Sequence, residues 1–222
     1  MSPNAPAAAG PRTHEMVVVH RGLRREARLL VELVAAVAPG DTARARLLAD
    51  HFRTYRLGLH HHHTAEDAHL WPPLLARVDL EADVVLRMEA QHDRVAATLA
   101  AADAALPAWE AAAGEAARDT LTALLADHRA VLLEHLDEEE AALLPLAARY
   151  LTAAEWNRMG EDFAAHVPKP KLLHYLGMAL EDADRTERRA LLAALPPPVR
   201  LLWHTIGRPA YARTTRTLRT SP

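Results

Sequence analysis

The chain has 222 residues, enough for one domain with a real core plus an extension, and its net charge of −3 offers no basic field that would point to nucleic acid. Apolar residues make up 50% of it, Gly occurs 8 times, and Ala and Leu outnumber β-branched clusters, which favours helices over strands. There is no cysteine, which excludes disulfides, thiolate metal sites and cysteine nucleophiles, whereas histidine occurs 14 times.

Residues 1–12 read as a disordered leader. MSPNAPAAAGPR has no long apolar core and does not read as a secretory signal. No apolar run approaches the ~20 residues that span a membrane, so a cytoplasmic protein without a membrane partner is expected. The first helix is expected from about Thr13 to Val37, with Met16, Leu23, Ala27, Leu30, Val34 and Val37 at spacings of three and four and His20 inside the stripe. Pro39-Gly40 ends it and Asp41 caps the next. The second, from about Thr42 to Arg77, carries Leu48, Phe52, Tyr55, Leu59, His62, Glu66, Leu70 and Leu74, with Pro72-Pro73 kinking or ending it. The third, from about Glu81 to Leu106, carries Val85, Met88, His92, Val95, Leu99 and Ala102. After a connection around Pro107–Gly114, the fourth runs from about Glu115 to Arg149 with Leu121, Leu125, His128, Leu132, His135, Glu139 and Leu146. Short connections predict an all-α, up-down-up-down four-helix bundle over residues 13–150.

Residues 151–222 differ. Thr152-Ala-Ala-Glu155 is a capping box. Short helices are expected near Leu172–Glu181, Arg185–Leu195 and Val199–Ile206, broken by Pro196-Pro197-Pro198, with an Arg- and Thr-rich tail after Gly207. So short a stretch with three proline breaks can hardly bury its own core, so it is read as an extension packed on the bundle.

The bundle contains a repeat. His62-x-x-x-Glu66-Asp67-x-x-Leu70-Trp71-Pro72 aligns with His135-x-x-x-Glu139-Glu140-x-x-Leu143-Leu144-Pro145 at a constant offset of 73, and His20 matches His92 at an offset of 72. Positions i and i+4 of a helix share one face, about 6 Å apart, so His62 with Glu66, and His135 with Glu139, can turn toward a common point. Burying two carboxylates on apolar stripes that carry no Lys or Arg is costly unless cations compensate them. Imidazole with carboxylate suits Fe, Zn, Mn or Cu and not an oxygen-only ion such as Ca²⁺ or Mg²⁺.

The lone His20, the His62/Glu66/Asp67 run closing on Leu-Trp-Pro, the lone His92 and the His135/Glu139/Glu140 run closing on Leu-Leu-Pro resemble the hemerythrin-like (HHE) cation-binding family over about residues 14–149. The resemblance implies two non-haem iron ions, oxo- or hydroxo-bridged, held by His20, His62, Glu66, His92, His135 and Glu139, with the carboxylates bridging. It also implies a small diatomic or peroxide ligand, with a reductant as a further partner. Oxygen carriers of the family have a second histidine four residues after the one on the third helix; Ala96 stands at that place here. Tyr55 and His128, each seven residues before a motif histidine and matched in the repeat, are the candidates for the missing ligand and for catalytic groups. Seven residues is two turns, roughly 10 Å along the axis, on the same face.

Three functions are then open. One is ligand binding (O2, NO or peroxide) in an oxidative or nitrosative stress response. Another is catalase-like disproportionation of peroxide, and the third is an iron-responsive or structural module. His60, His61 and His63 flank a ligand but are expected on other faces, at the surface or behind the ligands, and His14, His51 and His69 are expected to be structural. Asp67 and Glu140 are expected to orient ligands or stay solvated, and Trp71 and the two prolines to pack helix ends. No phosphate loop or nucleophile elbow occurs.

Overall fold

The computed structural model describes residues 10–78 and 81–220, and among them every regular element is helical. Most of the expected leader, residues 1–9, lies outside the described residues. The chain forms α1 (His14–Ala35), α2 (Thr42–His69), a short α3 (Trp71–Leu75), α4 (Ala82–Ala112) and α5 (Glu115–Glu138). A π-helical segment, Glu139–Leu143, leads into α6 (Leu144–Tyr150). The C-terminal part contributes α7 (Ala153–His166), α8 (Lys169–Glu181), α9 (Arg185–Ala194), α10 (Pro197–Leu202), a second π segment at Trp203–Gly207, and α11 (Arg208–Arg219).

Local chemistry accounts for most boundaries. Asp41 caps α2 by accepting the Arg44 amide at 2.9 Å. Gly40, at φ +82, makes the turn between α1 and α2, a conformation glycine takes without strain. Thr152 and Glu155 form the reciprocal capping box of α7. Pro72 and Pro145, matched in the repeat, each interrupt the helix just beyond a motif glutamate. In the second half Pro145 has no amide to donate, and the chain widens into a π turn in which the Leu144 amide bonds the Glu139 carbonyl.

Two stretches depart from the pattern expected. α4 does not stop at Leu106 but runs through Pro107 to Ala112. Its stripe of Ala102, Leu106, Trp109 and Ala113 continues past the proline, and Trp109 is wholly buried. That burial outweighs the roughly 3 kcal/mol an internal proline costs. The Arg- and Thr-rich tail, for which the sequence predicts no element, is a helix, α11. Tyr211, Thr215 and Leu218 fall at i, i+4 and i+7, and Leu218 is buried in the main core. Arg44 reaches the carbonyls of Thr217 and Leu218 and ties the end of α11 to α2.

The four long helices touch in a closed ring, α1 on α2, α2 on α4, α4 on α5 and α5 on α1. α7 packs on α2, and α8 on α1. Two apolar clusters fill the interior. One contains Leu23, Leu30, Phe52, Leu59, Val95 and Leu132; the other contains Met16, Ala65, Leu70, Met88, Val85 and Leu143. On α1, α2 and α4 the motif histidine falls between a residue of the first cluster and one of the second, and His135 of α5 falls between Leu132 of the first and Leu143, in the π segment, of the second, so the histidines form a polar layer between two dry ones.

Candidate metal centre

Seven side chains from the four long helices and the π segment converge in that layer. His20, His135, Glu66 and Glu139 are fully buried, and His62, His63 and His92 are no more than 9% exposed. They form two clusters of donors: His20, His62 and Glu66 in one, and His63, His92 and His135 in the other, the donor atoms of each lying within 4.8 Å of one another.

The glutamates join the clusters. One oxygen of Glu66, Oε1, lies 3.2 Å from His62 Nε2, and Oε2 lies 3.5 Å from His92 Nε2. Glu139 Oε2 lies 3.4 Å from His20 Nε2 and 3.6 Å from His135 Nε2. Atoms bound to one first-row ion at about 2.0–2.2 Å stand roughly 3 Å apart, so this is the spacing of ligands around shared cations. Nine of these atoms, the Nε2 of all five histidines and both oxygens of each glutamate, are buried without a hydrogen-bond partner. Nine orphaned polar atoms in one dry layer would be a heavy cost in a protein that left them so. Cations bound among them would satisfy these atoms.

The opposite faces of the rings are held. His20 Nδ1 is 2.9 Å from Glu140 Oε1, a carboxylate also bound by Arg24. His92 Nδ1 is 2.7 Å from Asp67 Oδ1, which in turn accepts the Trp71 indole N–H at 2.6 Å. His135 Nδ1 is 3.2 Å from Gln91 Oε1, and Gln91 donates to Glu138. A carboxylate or amide oxygen at Nδ1 puts the proton there and leaves the Nε2 lone pair facing inward. Asp67 and Glu140 therefore orient the rings of His92 and His20, and Trp71 does more than pack a helix end.

The ionisation of the residues agrees. Burial, and then the neighbouring Glu139, push the Glu66 carboxyl well above the usual carboxylate range. Burial raises Glu139 as well. Burial drives His62 and His63 well below their ordinary values and His135 down to about 2. Neutral imidazole is the ligating form, and a carboxyl that resists ionising alone loses its proton to solvent when a cation binds beside it.

His20, His62, Glu66, His92, His135 and Glu139 are thus brought together as their spacing predicts. Two other expectations change. His63 does not point away: it is 7% exposed, its ring stacks on His92 at 4.1 Å between centroids and 14° between planes, and it supplies the fifth imidazole. Its repeat counterpart is Leu136, a fully buried core residue, so this position faces inward in both halves. Tyr55 and His128 do not join the donor clusters. The Tyr55 hydroxyl is 2.8 Å from His128 Nε2, and His128 Nδ1 is 3.1 Å from Thr98 Oγ1. With both ring nitrogens engaged two turns away, His128 has no free atom for an ion, and burial pushes the Tyr55 hydroxyl far above its ordinary value, against the phenolate form. Of the other histidines, His51 pairs with Glu26 at 2.9 Å and His14 with Glu187 at 2.7 Å, both structural contacts remote from the donor layer.

No helix among the described residues is long and apolar enough to cross a membrane. No curated protein and no solved structure matches the chain. A model of the hemerythrin HHE cation-binding domain does match, over residues 12–147. That span contains all seven donor residues and more than half of the sequence, and the chain belongs to the hemerythrin HHE cation-binding family.

Proposed function

We propose that the four long helices form an up-down-up-down bundle whose buried layer holds two iron ions. One is held by His20 and His62, the other by His63, His92 and His135, with Glu66 and Glu139 shared between them. The observation that carries this reading is the set of nine inward-facing donor atoms with no other partner. The imidazole-rich, carboxylate-bridged chemistry favours iron over hard oxygen-only cations. Iron bound there would supply one-electron redox chemistry and a coordination position for O2, NO or peroxide, in keeping with a role in oxidative or nitrosative stress.

The chain's own residues set the terms. Asp67, Glu140 and Gln91 fix ring orientation through Nδ1. The apolar layers above and below exclude bulk water. The uneven division of histidines, two against three, leaves the His20/His62 side with fewer protein ligands, and His62 and Glu66 border a cavity through which a small molecule can approach. Metal analysis with an optical spectrum, followed by addition of oxygen, nitric oxide and peroxide, tests this. Two irons per chain and a spectrum perturbed by one of these ligands are expected; a folded, metal-free protein that takes up no iron refutes it.

One observation favours a second reading, disproportionation of peroxide to water and oxygen. Tyr55 borders the same cavity as His62 and Glu66, and its hydroxyl is backed by His128. A neutral phenol so placed, held by His128, can orient a peroxide by a hydrogen bond while it is processed beside it. Rapid oxygen evolution from peroxide, slowed by Tyr55→Phe at unchanged iron content, would select this reading.

A further inference from the structure

A cavity of about 570 Å³ lies between the bundle and the C-terminal helices. Its walls include Met16 and Leu23 of α1, Trp156 and Phe163 of α7, Leu176 of α8 and Leu195 just after α9. The inner end is bordered by His62 and Glu66. Protein interiors leave few voids much larger than a water molecule, and a space this size falls within the roughly 300–1,000 Å³ of small-molecule sites.

The outer wall is built unlike the rest of the protein. α9 and α10 bury no residue at all, although Leu191, Leu195 and Val199 face the cavity. They cover a space and do not fill it. Both belong to the part of the chain beyond the matched family domain. This part is also strongly cationic: residues 185–219 hold eight arginines and a single acid, Glu187, in a chain whose net charge is −3. Among the described residues only Arg219 of these eight forms ion pairs, with Glu181 and Glu26. Arg189 and Arg200 sit on α9 and α10 themselves, Arg200 directly after the lining residue Val199.

We propose that this cavity binds a long-chain fatty carboxylate. The alkyl chain lies among the apolar side chains with its end toward His62 and Glu66, and the carboxylate stays at the rim among the arginines of α9 and α10. The apolar lining recognises the chain, and the unneutralised guanidiniums recognise the head. Such binding needs no ion in the donor layer.

The test is calorimetric titration of the full chain with dodecanoate below its micellar concentration. One dodecanoate per chain is expected. Octanoate should bind on the order of 10²-fold more weakly, because each methylene lost costs about fourfold. Leu176→Trp, which fills the space from α8, and Val199→Trp, which fills it from the surface helix and spares the bundle, should each abolish binding with the helical circular dichroism retained. Arg189→Glu with Arg200→Glu should weaken dodecanoate at least tenfold and leave dodecanol unchanged. Failure of dodecanoate to bind, equal affinity for octanoate, or unaltered binding by a folded Val199→Trp chain would overturn the cavity assignment. So would binding only to anionic phospholipid vesicles, which would make α9–α11 a membrane-surface element instead. Equal loss of dodecanol in the arginine variant would overturn the assignment of the head group.

Discussion

His63 shows how one side chain decides the composition of the centre. It sits one residue from His62, and on an isolated helix that places it a hundred degrees away. In the bundle it enters the second donor cluster because the neighbouring position faces α4, where His92 stacks upon it. The other six donors were legible in the sequence, because i,i+4 spacing within a repeat is a geometric statement. His63 was not, because its repeat partner is not a histidine but Leu136, whereas Tyr55 and His128 match each other in the repeat. The burial expected of Leu136 was the signal that could have revealed it. His63→Leu should therefore leave a folded chain that retains roughly half the iron of the parent by metal analysis. Tyr55→Phe should retain all of it, and lose on the order of 1 kcal/mol in denaturant unfolding from the broken bond to His128.

At the scale of elements, caps and proline breaks were readable because their chemistry is local. The run of α4 through Pro107 and the folding of α11 were not, because both depend on what the rest of the chain buries. The attachment of α8 and α11 to α1 and α2 rests on a buried charged cluster. Glu26 meets His51 at 2.9 Å and Arg25 at 2.8 Å, and Arg25 also reaches Asp182 and the Met178 carbonyl. Burial alone would raise the Glu26 carboxyl, but the hydrogen bond and charge of His51, and then Arg25, hold it down at about 2. A carboxyl lowered in the folded state stabilises it above about 4.5, its ordinary value, and that contribution disappears as pH falls from there toward 2. The full effect is on the order of 3 kcal/mol. His174, close to this cluster, is pushed by burial down to about 4, so its protonation in the unfolded chain removes further stability as pH falls from 6.5 toward 4. Unfolding free energies measured between pH 7 and pH 3 should fall in the parent, and fall less steeply over the lower part of that range in Glu26→Gln, which starts less stable.

Across the whole molecule the donor layer is the point at which the two halves depend on each other. Removing the cations leaves two buried carboxyls and five buried imidazoles facing one another, so the stripped chain should melt at a lower temperature than the loaded one. Thermal unfolding before and after treatment with a strong chelator measures the difference, which grows with free metal as RT ln(1 + [L]/Kd). An unchanged melting temperature would show that ions do not hold the layer together.

The reciprocity of the two repeats has a further meaning. Glu140 of the second half steadies His20 of the first, and Asp67 of the first steadies His92 of the second. Glu66 and Glu139 likewise each face an imidazole of the opposite half. Neither hairpin holds a complete donor set, so the polypeptide is organised as two fused halves that share one repeated motif. Severed between Val78 and Glu81, it should yield two fragments that are each incapable of retaining iron and that regain it only when mixed.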